Sequence, residues 1–314
     1  MQYAWQILSL LGFGVLLTSS AHVVVRSVSH ISRVIGLTGY TVSFLLLGLC
    51  TSAPEMFVAY RSIVEGVPQL SVGNLIGGSI LLLSLVMGLS SVVYGKITLE
   101  HGMTFGEIVL SSIVIVAPAT VLWDGSLTRI EGAFLIGIYI VHAMLLQKET
   151  KVLRIAAHTV NHSRSLHGSV AMLFVALFAM AVASYFMVES ATALIAHTAI
   201  PAFVFGLVLL SLGTNLPEFA LAWQAGKSKK KSIAFGDFMG SAAANTPILG
   251  VLGVVAPFQA SSSERMIFSL VLLLTVTLFF VWALSSRRDI TRKEGLGLLL
   301  FYGMFVLFEF LGGS

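Results

Sequence analysis

Long apolar blocks separated by short polar connections dominate this chain. A membrane-spanning helix needs about 20 mostly apolar residues. Ten blocks qualify, near 4–25, 36–60, 68–94, 104–123, 130–147, 168–190, 200–225, 232–257, 264–286 and 295–311. The longest polar connection, 148–167, divides them into two sets of five. The pattern predicts an all-α polytopic membrane protein of ten transmembrane helices. Its halves are 1–147 (helices 1–5) and 168–314 (helices 6–10), joined by a linker over 148–167.

Charge orients the blocks. Lys and Arg concentrate in cytoplasmic loops. With the N-terminus outside, the odd-numbered connections hold 15 of the 18 basic residues, and Arg61, Arg129 and Arg265 fall on the other side. Ten spans with both termini outside follow. No Lys or Arg precedes Arg26, so the first block is expected to be a retained helix rather than a signal peptide. With 57% hydrophobic and 10% charged residues, the composition excludes an ordinary soluble domain. The net charge of +4 reads as loop charge meeting lipid, not as a nucleic-acid footprint. The single cysteine, Cys50, excludes an internal disulfide.

The polar residues inside the apolar blocks carry the candidate chemistry. Thr51-Ser52-Ala53-Pro54-Glu55 is followed by Gly73-Asn74-Leu75-Ile76-Gly77-Gly78-Ser79. An offset of 163 leads to Thr214-Asn215-Leu216-Pro217-Glu218 and Gly236-Asp237-Phe238-Met239-Gly240-Ser241. Under the charge-derived topology, helices 2 and 7 run in opposite directions, so the halves are inverted repeats. That architecture is typical of secondary transporters, with a site at the midplane. A carboxylate in lipid is costly and marks function. Each mid-helix proline removes a helical hydrogen bond and is expected to free carbonyls near Gly48 and Ser211. Thr51, Ser52, Thr214 and Asn215 add side-chain oxygens. Asp237, Ser241 and Asn245 share one face of helix 8, where helix 3 has Asn74, Gly78 and Leu82. An all-oxygen set with two carboxylates, Glu55 and Glu218, suits hard cations such as Na⁺ and Ca²⁺. The glycine pairs Gly73/Gly77 and Gly236/Gly240 allow close helix packing.

These paired motifs resemble the two α-repeats of the cation/Ca²⁺ antiporter superfamily, which includes the Na⁺/Ca²⁺ exchangers. The resemblance covers essentially the whole chain. It implies a secondary antiporter exchanging Ca²⁺ for Na⁺ or H⁺ by alternating access in a bacterial or archaeal plasma membrane. It implies that Glu55, Glu218, Thr51 and Thr214 hold the central ion, with Asn245 a fourth central position. The Gly48 carbonyl, Ser52 and Ser241 match one flanking Na⁺ site. The opposite flank departs from the pattern: Asn215 stands for a serine, Gly78 for a hydroxyl residue and Leu82 for an amide or acid. Asp237 stands for the usual Asn, as an entry-path or proton-linked group or as a helix cap.

Such a protein is a transporter, not an enzyme, and needs no cofactor beyond the ions it moves. Its partners are inorganic cations and the bilayer. The alternatives are an H⁺-coupled or Mg²⁺/Mn²⁺ exchanger, then a cation channel. A membrane aspartyl protease needs a second facing Asp, but Asp124 and Asp289 fall in loops. The histidines, including His142, read as loop or interface residues, Glu309 as interfacial, Lys227 to Lys231 as a topology signal, and Trp5 and Trp123 as interface anchors.

Overall fold

The computed structural model describes residues 4–34, 52–98, 104–146, 166–198, 200–216, 218–219, 222–223, 231–259, 263–287 and 289–311. Gly48, Cys50, Thr51, Pro217, Lys227 to Lys230 and most of the 148–167 linker lie outside the described residues.

The described structure is almost wholly helical. The helical segments are α1 (Ala4–Val34), α2 (Ala53–Val64), α3 (Pro68–Tyr94), α4 (Phe105–Val121) and α5 (Arg129–Leu146) in the first half. The second half has α6 (Leu166–His197), α7 (Ala202–Thr214), α8 (Lys231–Val255), α9 (Glu264–Arg287) and α10 (Arg292–Leu311). Six helices among the described residues are long and apolar enough to cross a membrane, and α4 and α7 are shorter apolar helices.

Helix ends follow local chemistry. Thr104 caps α4, and Glu107 reaches back to the Thr104 amide, closing a capping box that satisfies two otherwise unpaired donors. Gly95, at φ 78°, ends α3, where a left-handed residue without a Cβ is favoured. A π-helical turn interrupts α3 at Leu82–Val86 and α7 at Gly206–Leu210.

Packing follows the repeat. The first cluster of buried apolar residues joins α3, α4, α5, α7, α8, α9 and α10. A second joins α1 and α6, the start of α2 and part of α7. The helices α1 and α6 are repeat equivalents and run antiparallel: Ser190 donates to Ser9 (2.8 Å), Phe13 stacks on Phe186 (4.6 Å), and Ser169 pairs with His30 (2.9 Å). Two short antiparallel ribbons also cross between halves. β1 (Ile97–Thr98) pairs with β4 (Asp289–Ile290), and β2 (Ser126–Leu127) pairs with β3 (Phe258–Gln259). Lys96 binds the buried Asp289 carboxylate at 2.5 Å beside the first ribbon.

Large apolar side chains remain exposed along the outer helices. Trp5, Phe174 and Phe178 are at least 67% exposed, a surface suited to lipid. Trp123 is exposed too. Two side chains depart from their sequence-based placement. Glu309 is 1% exposed and accepts a hydrogen bond from Ser269 (2.8 Å). His142 is 2% exposed and pairs with Ser111 across the α4–α5 contact at 2.9 Å. Each is buried because a serine on the facing helix offers a polar partner in an apolar interface.

Candidate cation site

The site is built on two turns with the same backbone geometry. Ser52 (φ −88°, ψ 11°) and Asn215 (φ −94°, ψ 14°) are equivalent by the 163 offset, and both leave the helical region. In each copy the amide four residues on, Met56 and Phe219, donates to the carbonyl of the turn residue at 3.1 and 3.2 Å. Pro54 then occupies the first turn of α2, the helical position at which a missing N–H costs least.

This corrects one sequence expectation. The Ser211 carbonyl is not freed: it accepts from the Asn215 amide (3.1 Å), from Asn215 Nδ2 (2.9 Å) and from Thr214 Oγ1 (3.5 Å). The Asn215 side chain doubles the backbone hydrogen bond to this carbonyl.

Polar side chains converge from four helical segments. Glu55 is 4% exposed, Asn74 is fully buried, Thr214 is 1% exposed and Glu218 is 3% exposed. The Thr214 hydroxyl lies against the Glu55 carboxylate and Asn74 Oδ1, 3.2 Å away. Thr214 therefore links the first carboxylate to α3, while Glu218 follows one turn later. Ser241 Oγ donates to Glu218 Oε1 at 3.4 Å. Asn245 Nδ2 donates to Ser79 Oγ and to the Leu75 carbonyl, both at 3.1 Å. Glu55 Oε2 and Asn74 Nδ2 are buried, and neither has a hydrogen-bond partner among the described residues. An orphaned carboxylate oxygen at this depth costs free energy unless a cation or proton meets it.

Of the sequence candidates, Glu55 and Asn74 meet Thr214, Asn215 bonds Ser211 and Thr214, Glu218 meets Ser241, and Asn245 reaches α3, while Ser52 lies buried at the start of α2. Asp237 falls on α8. Sequence reasoning left Ser79 without a role. Its hydroxyl also reaches the Ala242 carbonyl (3.4 Å), its own repeat equivalent, so it ties α3 to α8. Its place at the end of the quoted glycine motif was the available signal.

Close backbone approach explains the first glycine pair. A Cβ on Gly73 would stand 2.0 Å from the Phe203 carbonyl, and one on Gly77 would stand 1.9 Å from the Leu207 carbonyl. No larger residue lets α3 meet α7 at this distance. At Gly240, by contrast, nothing among the described residues lies within 4 Å.

Comparisons with known proteins identify the family and the fold. The family model described as sodium/calcium exchanger protein matches residues 5–147 and 168–311. The inner membrane protein YrbG of Escherichia coli (strain K12) is 28% identical over 302 residues, covering 93% of this chain and 92% of the relative. The sodium/calcium exchanger MaX1 of Methanosarcina acetivorans is 23% identical over 340 residues, covering 94% and 96%. Among solved structures, the sodium-calcium exchanger NCX_Mj aligns with a TM-score of 0.65 at 20% identity, covering 96% of this chain and 98% of its own. The H⁺/Ca²⁺ exchanger CAX aligns with a TM-score of 0.76 at 16% identity, covering 98% and 82%. With both halves matched and the relatives spanned nearly end to end, this integral membrane chain belongs to the sodium/calcium exchanger family.

Proposed function

We propose that this protein is a secondary active antiporter that moves Ca²⁺ across the plasma membrane in exchange for Na⁺ or H⁺. One observation carries the reading: two buried carboxylates stand on repeated turns, Glu55 beside the Thr214 hydroxyl of the other half and Glu218 beside Ser241. Two carboxylates neutralise one divalent ion or two monovalent ions, so the same centre can serve cargo and counter-ion in turn. Thr51 and the Gly48 carbonyl complete the ligand set in this reading, and Asp237 stands near the cytoplasmic start of α8.

The proposed topology is ten transmembrane helices in two inverted repeats, with both termini outside. Two features support the inversion. Equivalent helices α1 and α6 run antiparallel. The ribbons join the α3–α4 loop to the α9–α10 loop, and the α4–α5 loop to the α8–α9 loop. A pseudo-twofold axis in the membrane plane exchanges those two pairs. Each ribbon then joins loops on one side of the membrane, as the charge count requires.

The test is Ca²⁺ flux into proteoliposomes with Na⁺ and pH gradients varied independently. Glu55→Gln and Glu218→Gln should each abolish exchange while the protein keeps its elution profile and helical content. Retained exchange in both variants would overturn the proposal. Proton coupling is the second reading, favoured by the amide and glycine at Asn215 and Gly78. Flux that follows the pH gradient and ignores Na⁺ would select it.

A further inference from the structure

The Thr214 hydroxyl has one proton and, among the described residues, three acceptors beside it. Its Oγ1 lies 3.2 Å from Asn74 Oδ1, 3.5 Å from the Ser211 carbonyl and against the Glu55 carboxylate. A carbonyl oxygen has two lone pairs, and on Ser211 both already receive donors, the Asn215 amide (3.1 Å) and Asn215 Nδ2 (2.9 Å). Asn74 and Glu55 therefore compete for the proton.

The winner decides what the Thr214 oxygen can do. One of its two lone pairs receives Asn215 Nδ2 at 3.3 Å. A proton aimed at Glu55 would stand between the two oxygens and keep a cation off both. A proton aimed at Asn74 leaves the second lone pair turned towards the carboxylate. Two oxygens facing each other in that way repel until a cation, or a proton on Glu55, lies between them, and oxygen pairs are what hard cations bind.

Two observations single out the accepting end of Asn74. The side chain is fully buried, yet its Nδ2 has no hydrogen-bond partner among the described residues. Its equivalent by the 163 offset is Asp237, whose ionised side chain accepts and cannot donate. The oxygen is the group the two positions share.

We propose that Asn74 is a positioning residue: by taking the single proton of the Thr214 hydroxyl, it turns the Thr214 oxygen towards the transported cation beside Glu55. The inference rests on the antiporter reading and deepens it, because it assigns a role to a residue that need not touch the ion.

The experiment measures Ca²⁺ binding by the purified full-length protein and Ca²⁺ flux after reconstitution. Asn74→Ala should raise the half-saturating Ca²⁺ concentration by about two- to tenfold, the range of one neutral hydrogen bond. Asn74→Asp keeps an acceptor and loses the donor, so its half-saturation should stay at or below the native value. In a Thr214→Val background, Asn74→Ala should weaken binding no further, because the hydroxyl it orients is gone. Native half-saturation in folded Asn74→Ala overturns the proposal. So does an added loss in the double variant, or a loss in Asn74→Asp equal to that in Asn74→Ala. If the alanine variants fail to fold, Asn74→Asp decides. If that variant fails too, a Ca²⁺-bound structure of the native protein decides: Thr214 Oγ1 must lie about 2.3–2.6 Å from the ion and within hydrogen-bond reach of Asn74. A native protein that neither binds nor exchanges Ca²⁺ would defeat the antiporter reading instead.

Discussion

Thr214 illustrates how much one side chain does at this centre. It lies against Glu55 from one repeat and donates to Asn74 from the next helix. A neutral hydrogen bond such as that to Asn74 contributes about 0.5–1.5 kcal/mol. Thr214→Val, nearly equal in volume, should therefore raise the Ca²⁺ concentration for half-maximal flux by about two- to tenfold, with protein yield unchanged. An unaltered concentration dependence would remove Thr214 from the ligand set. Ser52 and Asn215 carry a different residue-scale lesson. Their side chains differ, yet their backbones share one off-helix conformation, and each precedes a proline by two residues.

Among the elements, α3 and α7 cross at the closest approach. Gly73 and Gly77 face the Phe203 and Leu207 carbonyls, and Gly206 faces the Leu70 carbonyl. Gly77→Ala would drive a Cβ into backbone, so the helices must separate. Thermal unfolding in detergent should report a loss of about 1–3 kcal/mol, with transport reduced because Asn74 moves away from Thr214. An unchanged midpoint in the folded variant would refute this account of the first glycine pair. The motif was legible in the sequence, but the distance at which the two helices cross was not.

For the whole molecule, the ribbons make topology testable. In a Cys50→Ala background, Gln259→Cys on β3 should react with a membrane-impermeant maleimide added outside. Lys96→Cys beside β1 should react only after the membrane is opened. Both positions are exposed, so burial does not confound the result. The reverse pattern would invert the proposed orientation. Removing the Lys96 partner by Asp289→Asn should lower stability. It deletes a charge pair on the 2% exposed Asp289 at a joint between halves, which a thermal unfolding midpoint checks.

By itself, the sequence determined what local chemistry and periodicity control. Apolar block length placed α3, α4, α5, α8, α9 and α10 close to their observed bounds, whereas α1 and α6 run on to Val34 and His197, past the blocks ending at 25 and 190. The 163-residue offset located Glu55, Glu218 and the repeated turns. The family follows from the same residues, because each motif needs particular side chains at particular spacings. Tertiary structure decided what depends on contacts between segments distant in sequence. The Ser211 carbonyl is engaged because Asn215 folds back on it. Glu309 and His142 are buried because serines on neighbouring helices receive them. The direction in which the Asn215 and Asn245 amides face is set by carbonyl acceptors, and Asn245 finds its acceptor on another helix. Hydrogen-bond direction across a packed interface has no periodicity in a sequence, so only the tertiary structure decides it.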